Sequence, residues 1–147
     1  MSTTQPAVLL ALAVLGLATV PAKPEKKHVN TPGHRAGAPY SDAVIVGDTI
    51  YIAGKIGTDP STGKPPADVA DEARLVLDGV KAVVEHEGLT MDDLVSVQVF
   101  CSDVSNYDAF NAVYKTYFKK DPPVRGFLGS GPLLFGARFE VMAIAAR

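Results

Sequence analysis

An α+β sandwich, with one mixed sheet and two helices packed on one of its faces in the order ββαβαββ, is the fold class this 147-residue sequence predicts. Three observations predict it. Runs whose apolar residues alternate every second position stand within residues 43–56, 94–101 and 124–145. Two longer runs repeat apolar residues at spacings of three and four. The composition, 47% hydrophobic against 20% charged with a formal charge of −2, suits one buried core and excludes a disordered chain. That near balance, with no basic stripe, also argues against a nucleic-acid partner.

The chain opens with an uncharged apolar run, Pro6 to Val20, that ends at the small-residue pattern Val20-Pro21-Ala22. It is shorter than the ~20 residues a membrane-spanning helix needs. Residues 1–22 therefore read as a cleaved signal peptide, which implies export to a periplasm or the exterior and no stable membrane span afterwards. An uncleaved core helix in a cytoplasmic protein is the alternative, since residues 1–5 carry no Lys or Arg. The charged stretch after Ala22 reads as a flexible linker over residues 23–37, which leaves 38–147 as the single folded domain.

Ala43 to Val46 and Thr49 to Ile56 read as a hairpin turned at Gly47-Asp48. Pro60, Gly63, Pro65 and Pro66 break regular structure. From about Ala67 to Glu87 the stripe Val69, Ala73, Val76, Val80 and Val83 predicts a helix, with Asp71, Glu72, Arg74, Asp78 and Lys81 off the stripe and Gly88 as its stop. Leu94 to Cys101 alternates as a strand, with Val95, Val97, Val99 and Cys101 on one face. Ser105 or Asn106 can cap a second helix whose stripe is Phe110, Val113, Tyr114, Tyr117 and Phe118, and Pro122-Pro123 ends it. Two further strands, Val124 to Leu128 and Arg138 to Ala145, flank a turn at Gly129-Ser130-Gly131-Pro132.

If those last strands are antiparallel neighbours, residues whose numbers sum to about 265 face one another, and Arg125 lies beside Glu140. The pair then serves either as a structural ion pair or as a receptor for a small organic acid, because the guanidinium fork matches a carboxylate. Cys101 reads as a buried structural thiol and His86 as a solvated helix-end imidazole. One cysteine and three histidines leave no disulfide and no zinc cluster, so no metal is expected.

Ala38-Pro39-Tyr40-Ser41, Ala53-Gly54-Lys55-Ile56, Phe110-Asn111-Ala112-Val113-Tyr114, Pro123-Val124-Arg125 and Arg138-Phe139-Glu140 occur together in an order and spacing that resembles the RidA family of reactive-intermediate deaminases, the YjgF-like proteins. The resemblance implies a chorismate-mutase-like subunit in a homotrimer, with ligand clefts at the subunit boundaries. It also implies hydrolysis of enamine or imine intermediates such as 2-aminoacrylate and 2-iminopropanoate to 2-keto acids and ammonia, without a cofactor. Carried over by position, Arg125 grips the substrate carboxylate and Glu140 positions a water. Gly54 supplies a backbone contact, Tyr40 lines the cleft and Asn111 stands at its edge.

The chain departs from the family pattern at Gly126-Phe127, where a small polar residue is usual, so Phe127 is expected to narrow the cleft. Lys55 and Met142 replace a common glutamine and glutamate and are expected to make the surroundings more positive. The alternative function is a non-catalytic exported protein that binds small carboxylates or protein partners in the same cleft. Ribonuclease chemistry fits poorly with the charge balance.

Overall fold

The computed structural model describes residues 22–147. The proposed signal segment falls almost wholly outside them. Gly47 turns the chain between β2 (Ala43–Val46) and β3 (Thr49–Ile56) with a φ of 58°, a left-handed value that glycine adopts without a Cβ penalty. Lys26–Val29 forms an additional strand, β1, antiparallel to β2. The linker expected over 23–37 is therefore corrected: this part of it is the edge strand of the sheet.

Asp68 caps α1 (Val69–His86) by accepting from the Asp71 amide, and Gly88, at a φ of 75°, follows its end. Ala73, Val76, Leu77, Val80, Val83 and Val84 are buried along one face. Glu72, which stands off the predicted stripe, is nevertheless buried with them. β4 (Leu94–Cys101) follows, and a register shift between Leu94 and Ser96 leaves Val95 exposed rather than in line with Val97. Asp103, rather than Ser105 or Asn106, accepts the capping bond before α2 (Tyr107–Tyr114). A 3-10 turn, Lys115–Tyr117, extends that helix.

β5 (Val124–Gly129) and β6 (Phe139–Ala146) complete a six-stranded sheet in the order β1-β2-β3-β6-β4-β5. β4 and β5 run parallel, with α2 as the crossover such a pair requires, and every other pairing is antiparallel. The last two strands are thus not neighbours, because β4 lies between them. The core occupies the face covered by both helices, where Phe110 and Phe139 meet at a ring separation of 4.8 Å. On the other face Tyr51 and Met142 remain half exposed.

Candidate functional site

Alternation along a strand sends successive side chains to opposite faces, and residues aligned across neighbouring strands share a face. Arg125 aligns with Val97, which aligns with Ala143, and both of those are buried beneath the helices. Glu140 lies between the buried Phe139 and Val141 and aligns with Phe100. Arg125 therefore belongs to the helix-covered side and Glu140 to the open side. They are two strands apart and three residues out of line, a backbone separation of roughly 14 Å from the standard strand spacing and rise. Within one protomer they do not face one another, which corrects the hairpin register expected from the sequence.

The structure instead gathers two groups. The first is built on β3 and β6. The ladder between them shifts after Ile52, so that Ala53 and Gly54 form a bulge opposite Met142, while Lys55 aligns with Val141 and Ile56 with Glu140. Gly54 presses so closely on the Glu140 carboxylate that an added Cβ would overlap Oε1 and stand 3.0 Å from Cδ. Only a residue without a side chain leaves that carboxylate in place beside main chain released from the ladder.

The second group surrounds Arg125. Its guanidinium carbon lies 4.5 Å from the ring centre of Tyr114, 5.8 Å from Tyr107 and 5.7 Å from Phe127, an arrangement in which the π faces hold the cation. Burial pushes the Tyr114 phenol up to about 12 against the opposing charge of Arg125, so the platform stays neutral. Arg125, Asn111, Tyr107, Tyr114, Lys115 and Lys120 are among the residues that line an open groove of about 610 Å³. Phe127 does not narrow it. Its ring packs edge-on against Tyr107 at 4.9 Å and Phe110 at 5.6 Å, beneath the guanidinium.

Tyr40 belongs to neither group. It stands 54% exposed on the segment before β2, its ring edge-on to His34 at 5.6 Å. Asp42, two residues on, is buried and ties that segment to the Gly54 end. It accepts from Lys55 Nζ at 2.5 Å and from the amide and hydroxyl of Thr31 at 2.9 Å each, with His34 Nδ1 at 3.2 Å. Burial alone would raise the Asp42 carboxyl, but the bonds from Lys55 and Thr31 outweigh it and lower its pKa to about 2. The Lys55 charge is therefore spent on Asp42 and does not add a free cation beside Glu140. Met142 does stand on the Glu140 face as expected, and it is 41% exposed.

Sequence reasoning missed Asp42 and also the Glu72–Arg138 pair. The Glu72 carboxylate is fully buried and accepts from the amides of Arg138 and Phe139 at 2.6 and 3.1 Å. Arg138 Nε lies 2.7 Å from its second oxygen. Cys101 is buried, and burial raises its thiol pKa; Sγ donates to the Asp103 carbonyl at 3.0 Å, as suits a packing residue. Among the described residues no group of three or more His, Cys, Asp or Glu converges to hold a metal ion, and no helix is long and apolar enough to cross a membrane.

Residues 31–147 match the family model described as Endoribonuclease L-PSP. The chain is 38% identical to the 2-iminobutanoate/2-iminopropanoate deaminase of Escherichia coli K12, over 74% of this chain and 88% of that one. It is 37% identical to the protein of the same name from Rattus norvegicus, over 74% and 80%. Its fold superposes on the crystal structure of Escherichia coli TdcF with bound serine at a TM-score of 0.72 and 34% identity, covering 84% of this chain and 97% of that one.

Proposed function

The chain belongs to the Endoribonuclease L-PSP family, the RidA or YjgF-like proteins, and from that membership we propose that it hydrolyses small 2-imino acids of the 2-iminopropanoate type to 2-keto acids and ammonia. The observation that carries this reading is the Glu140 carboxylate seated against the bare main chain of Gly54 at a bulge. That arrangement sets an acceptor for water beside the main chain of the bulge.

A protonated imine is already electrophilic at carbon, so the protein has mainly to hold the substrate and place one water. Arg125 binds the substrate carboxylate through its fork, held in orientation by the aromatic rings beneath it. Glu140 orients the water and takes a proton from it as oxygen attacks the imine carbon. Glu140 returns that proton to the nitrogen, the C–N bond breaks as the new hydroxyl gives up its proton to the departing ammonia, and the balance is imine with NH2⁺ plus water giving ketone plus NH4⁺. No electron transfer is involved.

Since Arg125 and Glu140 lie on opposite faces of their own sheet, the site is completed between protomers. Glu140 and Gly54 of one meet Arg125 and Asn111 of its neighbour in a homotrimer. Asn111 stands at the rim, and Tyr40 lines the cleft from the Gly54 side.

Mixing two inactive variants tests this. Arg125→Ala and Glu140→Gln each lose turnover of 2-iminopropanoate generated in situ. When equal amounts are unfolded and refolded together, about a quarter of the shared sites receive both native residues by random assembly, and activity returns to about that fraction of the parent. A mixture as inactive as its components overturns the shared site. A folded Arg125→Ala that keeps full activity overturns the reading itself, and a protein that binds 2-keto acids without accelerating imine loss is a binder.

A further inference from the structure

A carboxylate with no solvent access must be offset by donors on every side, and the donors it recruits become fixed relative to one another. Glu72 sits in the first turns of α1, yet its partners come from elsewhere in the chain. Oε1 accepts from the Arg138 and Phe139 amides at 2.6 and 3.1 Å, at the point where β6 begins. Its other oxygen meets Arg138 Nε at 2.7 Å. The same guanidinium donates to the Pro66 carbonyl at 2.5 Å and reaches that of Asp68 at 3.4 Å, on the approach to α1. Gly57, one residue past β3, lies so close that an added Cβ would overlap the Glu72 carbonyl and stand 3.0 Å from the Val76 amide. The buried carboxylate thus ties the start of β6 to the start of the helix, and the end of β3 packs against the main chain of that same helical turn.

The residue after Phe139 is Glu140, and three residues before Gly57 is Gly54. Glu140 emerges directly from the strand start that the Glu72 carboxylate bonds, and Gly54 lies on the strand whose end packs against the main chain of the helix at Glu72. We infer that Glu72 is a positioning residue for the proposed hydrolysis, setting the height of the Glu140 carboxylate against Gly54 through the Phe139 amide. The inference rests on the reading of Glu140 as the water-holding group. Glu72 touches no substrate. Its effect passes through two amides and one strand.

Glu72→Ala, assayed as the full chain with 2-iminopropanoate generated in situ, is expected to lower kcat about 10- to 100-fold, the scale of a displacement near 1 Å, with KM within about twofold. Glu72→Gln, whose amide oxygen can still accept both amides, is expected to retain kcat within about threefold of the parent. A merely structural role would not produce the next result. On a Gly54→Ala background, where the added Cβ already displaces the Glu140 carboxylate but turnover stays measurable, Glu72→Ala is expected to cost little further, because both changes move the same group. If Glu72→Ala does not fold, Arg138→Lys loosens the same joint and is expected to lower kcat about tenfold with the same non-additivity. A folded variant with unchanged kcat, a loss confined to KM, or a loss that adds fully to that of Gly54→Ala overturns the inference. A Glu140→Gln protein that remains fully active overturns instead the reading on which the inference stands.

Discussion

Substituting Gly54 by alanine separates the site from the fold. An added Cβ would stand 3.0 Å from Cδ and 3.2 Å from Cγ of Glu140 and overlap its Oε1, against an ordinary contact distance of 3.4–4 Å. The carboxylate must therefore move by about 1 Å or more, the scale of misplacement that costs about 100-fold in rate. The obstructing atoms are the far end of a flexible side chain, and Gly54 is not in the left-handed region of φ. Accommodation then requires a turn of the Glu140 torsions, at about 0.5–1.5 kcal/mol. The expected result is a well-folded protein whose kcat is down about 100-fold, which corresponds to about 2.7 kcal/mol in the barrier. Thermal unfolding of parent and variant, with steady-state hydrolysis of 2-iminopropanoate generated in situ, gives both quantities. A folded Gly54→Ala whose kcat stays within about threefold of the parent would refute the role given to this contact.

Two further outcomes are testable, one drawn from the structure and one from the sequence. The Asp42 carboxyl is lowered from 3.8 to about 2 in the folded chain, so the stability it contributes is fully present above the ordinary value and is lost as pH falls through about 2. Its size, from nearly two pKa units, is about 2 kcal/mol. Urea unfolding between pH 5 and pH 2 should show that decline, and Asp42→Asn should lack it while being less stable at neutral pH; parallel profiles for the two proteins would refute the linkage. At the other end of the chain, mass spectrometry of the protein made in a secreting host should find a mature N-terminus at Lys23, and a retained Met1 or Ser2 would exclude export by cleavage.

The hairpin at Gly47-Asp48, both helical stripes and the span of β4 were legible because each depends on neighbours a few residues apart. β1 was not: three of the four residues of Lys26–Val29 are exposed, so an edge strand there carries no apolar alternation to detect. The last two strands invited an antiparallel pairing because a short glycine-rich turn joins them, but β6 inserts between β3 and β4 and leaves β5 to pair in parallel. That choice is made by the shared core, and no local signal records it. Glu72 and Lys55 were misread for a related reason. A charge in an amphipathic pattern looks solvated until its partner appears, and Arg138 is 66 residues from Glu72. The spacing of Arg125 and Glu140 was readable, whereas the faces on which they stand required the sheet order.

Opposite placement of those two groups has a consequence for how such a catalyst behaves when scarce. A solitary subunit holds an anion grip without a water, and a water without an anion grip. Under the proposed shared cleft, specific activity is a property of encounter: it collapses on dilution below the association threshold, returns on concentration, and a copy lacking both groups silences the two clefts it shares with intact neighbours.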